Sequence, residues 1–373
     1  MRTGTGNLLE APTEALVNTV NCVGIMGKGI ALQFSKAWPA MYAAYRRAAE
    51  AGEVVPGRMH VYETGQLVGP RFIINFPTKR HWREPSRLED IEAGLPDLVR
   101  VLRTHGIRSV AVPPLGAGLG GLDWRRVRPR IEAALAPLDD VDVLLWEPAV
   151  APPAEQRPVH TRRPRMTLAR ALVLALMDRY RLLDHEVTHL EVQKLAYFLQ
   201  LAVAREATDD RSERRGAVGR RPERAADTAR LGMKFEAQAY GPYADGLYHM
   251  LQQMEGHQIV GLSDRSPHAP LQVLPGAVEE AWTFLKGEPV AQAGFDRVAR
   301  LIEGFETPYG MELLATVHWV THREPECVGN VGQCVERIHA WSERKRRVLK
   351  PEHIQLGWAR LQGQGWLPPH DLR

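Results

Sequence analysis

Asn18-Thr19-Val20-Asn21-Cys22-Val23-Gly24-Ile25-Met26-Gly27-Lys28-Gly29-Ile30-Ala31 is the stretch on which the fold turns. The strand pattern of residues 15–20 is carried on to Asn21. Gly24, Gly27 and Gly29 follow, and an alanine-rich amphipathic helical pattern then fills residues 29–50. Glycines in such a loop allow backbone angles closed to other residues and let a phosphate approach the chain closely. The first turn of the helix offers unpaired N–H groups to an anion.

Working outward, the same order repeats. Residues 59–63, 71–76, 109–113 and 141–146 read as short buried strands. Ser86-Arg87-Leu88-Glu89 has the form of a capping box opening a helix that stops near His105-Gly106. Asp123 is placed to cap a helix over residues 124–138, which Pro129 is expected to kink. Alternation of strands and helices predicts an α/β layer fold.

The chain has 373 residues, too many for one ordinary core, and 44% of them are apolar. No window approaches the length needed to cross a bilayer, so no membrane partner is expected. The N-terminus lacks an apolar signal core, which reads as cytoplasmic. Cys22, Cys327 and Cys334 are too few and too scattered for a disulfide framework, no Cys/His cluster has zinc spacing, and neither metal nor cofactor is expected. A net charge of +4 permits a phosphate or nucleic-acid partner without demanding one.

Residues 149–165 are rich in proline and arginine and read as a linker. The boundaries that follow are 1–148 for the α/β domain and 166–373 for a mainly helical one. In the second, residues 168–181, 190–205, 279–286, 295–303, 311–321 and 332–346 carry helical spacing, and residues 207–230 read as a charged loop. The arginines of residues 205–230 are offset by acidic neighbours. No aromatic-interleaved basic patch suited to a dedicated DNA platform is recognised in the chain.

Four pieces of the first domain carry chemistry. Gly6-Asn7-Leu8-Leu9 precedes the first strong strand. Asn21–Gly29 forms the first glycine loop, and Pro113-Pro114-Leu115-Gly116-Ala117-Gly118-Leu119-Gly120-Gly121 the second. Asn75-Phe76-Pro77-Thr78-Lys79-Arg80-His81-Trp82 follows a buried strand. In an open α/β sheet, ligands sit beyond the carboxyl ends of the strands, where two such loops can clamp a diphosphate. Lys79 becomes a nucleophile if desolvation lowers its pKa. Taken singly, each piece has a plainer reading: a glycine loop is often only a tight turn, and a lysine after a strand is usually a solvated charge. Their order within one α/β domain favours a site.

In that order the pieces resemble the macrodomain family, and within it the branch that removes ADP-ribose from carboxylates and nucleobases, the DarG antitoxins of the DarT–DarG system included. The Asn18–Ala31 segment resembles the first macrodomain loop, Leu115–Gly120 the second, and Phe76-Pro77-Thr78-Lys79 matches the position of that branch's catalytic lysine. The resemblance implies an α/β macrodomain, a mixed sheet flanked by helices, over about residues 1–148. It implies that Asn7 and Leu8 lie near adenine and that Asn21 contacts the distal ribose. Gly24, Ile25, Met26, Gly27 and Lys28, with Thr78 and with Gly116, Ala117, Gly118, Leu119 and Gly120, would hold ADP-ribose. Lys79 would act on the anomeric carbon, with Asn21 or the substrate itself as its companion. Many macrodomains have Asp in place of Asn7. A human relative pairs the lysine with an aspartate at the position of Gly120, so the second catalytic group stays open; Asp123 is a rival candidate but is more naturally a helix N-cap.

In the second domain, Gln193-Lys194-Leu195-Ala196-Tyr197-Phe198 and Tyr240-Gly241-Pro242-Tyr243 resemble the Panacea-type antitoxin domain, whose members neutralise toxins by binding them. Together the two resemblances imply an antitoxin that removes ADP-ribose from thymine in single-stranded DNA, releases ADP-ribose, and binds its cognate DarT-type toxin through residues 166–373. The alternatives are an ADP-ribose reader without turnover, which has no need of Lys79, and a hydrolase of protein-linked ADP-ribose.

Overall fold

The computed structural model describes residues 1–66, 69–148, 152–153, 157–182, 186–216, 231–264 and 269–367, with only the backbone described at 181–182 and 211–216. The chain divides into two units, Met1–Arg163 with Glu255–Ala269, and Pro164–Met254 with Pro270–Arg373.

The first unit is built on six strands: β1 (Arg2–Gly4), β2 (Ala15–Asn21), β3 (His60–Glu63), β4 (Phe72–Lys79), β5 (Ser109–Val112) and β6 (Asp142–Trp146). They lie in the order β1-β6-β5-β2-β4-β3. All neighbours are parallel except β3, which runs antiparallel to β4. The sheet is therefore mixed, as the macrodomain resemblance implied. Alternate residues feed two cores. Ala15, Val17, Phe72, Ile74, Phe76, Val110 and Val112 pack on one face with α3 (Leu88–Thr104) and α4 (Trp124–Leu135). Leu16, Val20, Ile73 and Ala111 pack on the other with α1 (Gly29–Ala37) and α2 (Pro39–Glu50). Burial on both faces is why the central strands read as near-continuous apolar runs.

Several local expectations change. The helical pattern of residues 29–50 is two helices, broken at Trp38-Pro39, where proline starts the second. The capping box is not formed: α3 starts at Leu88 with Arg87 as an N-cap that makes no side-chain bond, and Ser86 is buried elsewhere. Asp123 does cap α4, accepting from Arg125 N at 3.0 Å, and the helix continues through Pro129. Strand β1 has no apolar run to announce it.

The proline-rich linker is part of the first unit as far as Arg163. Arg157 donates to the Pro152 carbonyl at 2.8 Å and reaches Asp264 at 2.6 Å and Glu255 at 3.7 Å. The assignment of all of 166–373 to the second domain is corrected at the Glu255–Ala269 segment, which returns to the first. There the Ser263 carbonyl accepts from Gln33 at 3.0 Å and the Leu262 carbonyl from Gly29 N at 3.4 Å.

The second unit is mainly helical, including Leu168–Leu182, His189–Gly216, Pro289–Ile302, Pro308–Arg323 and Pro351–Gly363. The helix from His189 runs on to Gly216, through residues expected to be loop; residues 217–230 lie outside the described residues. The predicted helix at 332–346 is interrupted by Ser342, which caps a new turn through Lys345 N. Among the described residues, no helix is long and apolar enough to cross a membrane.

Candidate active site

Strands β5, β2 and β4 are adjacent and parallel, so the loops that leave their carboxyl ends meet at one rim. These are the two glycine loops and the segment after Lys79. Strand β2 pairs with β4 in steady register up to Val20↔Pro77. There the register shifts, and Asn21 pairs with Lys79. Thr78 is left as the extra residue of a bulge, buried, its hydroxyl 3.4 Å from the Val20 carbonyl. Pro77 has no N–H to give a central strand, and a bulge is where proline is tolerated. The bulge turns Lys79 into line with Asn21.

Lys79 is half-buried, and its ammonium donates to the Leu119 carbonyl at 2.8 Å. Burial lowers its pKa below the ordinary lysine value. The next residue, Arg80, is drawn off by a two-point contact with the buried Asp90 carboxylate, the closer at 3.0 Å.

Asn21 shapes the first loop rather than standing open. Its Oδ1 accepts from Val23 N at 3.0 Å and Ile25 N at 3.3 Å, its Nδ2 donates to the Ile25 carbonyl, and Tyr45 OH donates to its main-chain oxygen. Gly24 takes φ +80 and lies against Ala49 and Arg46 of α2. Ile25 and Gly27 are half-buried at the loop surface. Lys28 is extended at the N-cap of α1, with its pKa lowered by burial to about 8. Met26 and Leu8 are core residues, 2% and 4% exposed, so their expected ligand contacts are confined to what their backbone offers. Asn7 accepts from Leu9 N at 3.1 Å, capping the short turn Leu8–Glu10.

The second loop is folded by turns from Ala117 N to the Pro114 carbonyl and from Leu122 N to the Gly116 carbonyl. Gly116 has φ +66, and Gly118 is exposed with open space where a side chain would start. Leu119 reaches across to the first loop: a Cβ on Gly29 would lie 2.9 Å from its Cδ1. Gly120 is closed to any side chain, because a Cβ there would stand 2.3 Å from both the Gly116 carbonyl oxygen and the Ser86 hydroxyl. Ser86 N donates to the Gly120 carbonyl at 2.9 Å. Asp123, the rival acid–base group, is held by Arg125, which keeps its carboxyl below the usual range.

Sequence reasoning missed the amide network beneath the rim. Asn18 Nδ2 donates to Asn75 Oδ1 at 2.8 Å, and Asn75 Nδ2 lies 3.0 Å from His60 Nδ1. Burial lowers the His60 pKa, which favours the neutral ring as acceptor. The two asparagines one strand apart, both at apolar-face positions, were the available signal.

In the second unit the two short motifs touch each other. Lys194 donates to the Pro242 carbonyl at 3.0 Å, and Gln193 exchanges bonds of 3.0 and 2.8 Å with the Ala244 backbone. Tyr197 OH lies 2.8 Å from His318 Nδ1. Desolvation lowers Lys194 to about 7, and the motif residues hold the turn to the helix.

The Macro domain family matches residues 17–131. A DNA ADP-ribosyl glycohydrolase of Thermus aquaticus is 44% identical over 98% of this chain and 94% of its own length. One from Mycobacterium tuberculosis is 42% identical over 96% of this chain and 98% of its own. A DNA ADP-ribosyl transferase–DNA ADP-ribosyl glycohydrolase fusion protein of Thermosipho africanus is 34% identical over 33% of this chain and 36% of its own length. The macrodomain fold, the two glycine loops and Lys79 at their junction thus sit in a chain that, along nearly its whole length, belongs to the DNA ADP-ribosyl glycohydrolase (DarG) family.

Proposed function

We propose that this chain removes ADP-ribose from thymine bases of single-stranded DNA, with Lys79 as the catalytic residue, and that it also binds the transferase toxin that makes the modification. The observation that carries the reading is Lys79, half-buried and paired in register with Asn21, its amine bonded to the second glycine loop at Leu119. A reader of ADP-ribose needs the loops but has no use for a desolvated amine beside them.

The chemistry follows from a nucleophilic amine. Unprotonated Lys79 attacks the anomeric carbon of the distal ribose, a C–N bond to lysine forms, and the bond to the base nitrogen breaks. The proton lost by the attacking nitrogen goes to the departing base. The sugar ring opens to an imine, and water then displaces the lysine, releasing ADP-ribose with a free anomeric hydroxyl. The diphosphate lies between the two glycine loops, residues 24–28 and 116–120, near the start of α1. Asn21 holds the first loop in shape, and Asn7 and Leu8 form the adenine end.

Release of free ADP-ribose from a modified single-stranded oligonucleotide tests the enzyme, with modified protein as the comparison substrate. Wild type is expected to turn over the DNA, and Lys79→Ala to bind ADP-ribose while releasing none. Tight binding without release by wild type rejects the enzyme; preference for modified protein rejects the DNA substrate. The fusion of the two activities in the Thermosipho relative supports a transferase partner. Capture of a DarT-type transferase by residues 166–373 tests that part, and no complex rejects it.

A further inference from the structure

The loop that leaves Lys79 reads Lys79-Arg80-His81-Trp82-Arg83, cation and aromatic side by side. No dedicated DNA platform was expected from the sequence, and this run is a single tryptophan among cations rather than an extended patch. Trp38, Trp124 and Trp146 of the first unit all join its cores, whereas Trp82 remains 41% exposed. Its ring is held from its own side. The Arg83 guanidinium lies 4.4 Å from the ring centroid, and the His81 ring is tilted against it at 5.5 Å. The turn is fixed by Glu84 N bonding to the His81 carbonyl at 3.1 Å and Arg83 N to His81 Nδ1 at 3.3 Å. The base of the loop is anchored by Arg80 on Asp90. Among the described residues, Arg83 pairs with no carboxylate.

An indole presented on a pinned turn, with an unneutralised guanidinium against it, matches a nucleobase and its phosphate. Two residues, Arg80 and His81, separate Trp82 from Lys79, a backbone reach of at most about 11 Å. That reach is of the order of one nucleotide step along an extended strand. We propose that Trp82, backed by Arg83 and His81, is the stacking platform for an unpaired base adjacent to the modified nucleotide. The inference rests on the DNA reading above and deepens it: the enzyme would grip the strand as well as the ADP-ribosyl base.

The test compares wild type, Trp82→Ala and Trp82→Phe on an ADP-ribosylated single-stranded oligonucleotide and on ADP-ribosyl-thymidine alone. Trp82→Ala is expected to raise KM for the oligonucleotide roughly tenfold, the usual worth of one base–aromatic stack. It should leave kcat within about twofold and the nucleoside kinetics unchanged. Trp82→Phe should recover most of the loss. An unchanged oligonucleotide KM overturns the platform, as does an equal loss on both substrates. Fluorescence anisotropy with an unmodified unpaired oligonucleotide separates this idea from the reading it rests on. Weaker binding by Trp82→Ala supports the platform even if no turnover is seen, and equal binding overturns it.

Discussion

Asn21 and Lys79 stand opposite one another on β2 and β4 only because Thr78 is bulged out between Pro77 and Lys79. In unbroken register Asn21 would face Thr78. The lysine would then sit one residue further along, on the other side of the sheet. The bulge therefore places the amine as well as bending the strand.

The first prediction concerns pH. Only the neutral amine can attack, and burial lowers the Lys79 pKa from 10.5. The neutral fraction, and with it kcat, should rise with pH and level off below the ordinary lysine range. A kcat profile measured on modified DNA checks this. A flat profile, or one that falls over the same range, removes Lys79 from the nucleophile's role.

Asn21→Ala should weaken the first loop before it touches the chemistry. It deprives the Val23 and Ile25 N–H groups of their acceptor and the Ile25 carbonyl of its donor. Loss of such part-buried partners costs about 1–3 kcal/mol. Affinity for ADP-ribose should fall together with the melting temperature. Calorimetric titration and thermal unfolding read both, and a variant with wild-type values in each would show that the loop does not depend on this amide.

The strands, both glycine loops and Asp123 as a cap were legible because each follows from a local pattern. What escaped depends on contacts between distant residues. Ser86 has the spacing of a cap, yet it lies under Gly120. Met26 and Leu8 look like loop residues but their side chains fill the core behind the loop. The bulge had a visible sign in Pro77, a proline inside an apolar strand. The return of Glu255–Ala269 to the first unit had none, since no local periodicity encodes a partner more than two hundred residues away.

Gly120 carries the third prediction. With the Gly116 oxygen and Ser86 Oγ both 2.3 Å from any Cβ, Gly120→Asp does not install an acid beside Lys79. Its cost is set by backbone that must move, about 1–3 kcal/mol. Turnover should fall with stability. A Gly120→Asp variant that is stable and faster than wild type would show that the loop opens freely.

Ser86→Ala is expected to move stability the opposite way. The Ser86 hydroxyl is buried and has no hydrogen-bond partner among the described residues. Such a group costs about 1–3 kcal/mol to keep, so removing it should raise the denaturation midpoint while the Ser86 N bond to Gly120 persists. A lower midpoint would mean that the hydroxyl is bonded in solution.

The last prediction concerns the segment that leaves the helical half of the chain to join the first unit. Glu255 is 2% exposed and receives Leu262 N at 3.2 Å, Ser263 N at 3.0 Å and the Ser263 hydroxyl, with Arg157 as its cation. Arg157→Ala takes one cation from that buried carboxylate and leaves Lys36 as the remaining positive charge acting on it, so the loss should sit at the lower end for a broken buried pair, about 3 kcal/mol. Burial already raises the Glu255 pKa, and without Arg157 it rises further. The penalty is full where the carboxyl is ionised and fades as pH falls through the folded-state pKa. Arg157→Ala should therefore lose more stability near about pH 8 than near about pH 5. Because the Leu262 carbonyl accepts from Gly29 N, beside the first loop, ADP-ribose affinity should fall as well. Arg157→Met combined with Glu255→Gln should recover part of the stability: the amide needs no counter-ion, but only its oxygen can accept, so the Leu262 N or the Ser263 bonds are given up. Denaturant titration of the full chain at both pH values decides it. An Arg157→Ala loss that is the same at the two would show that Glu255 is not the group left stranded.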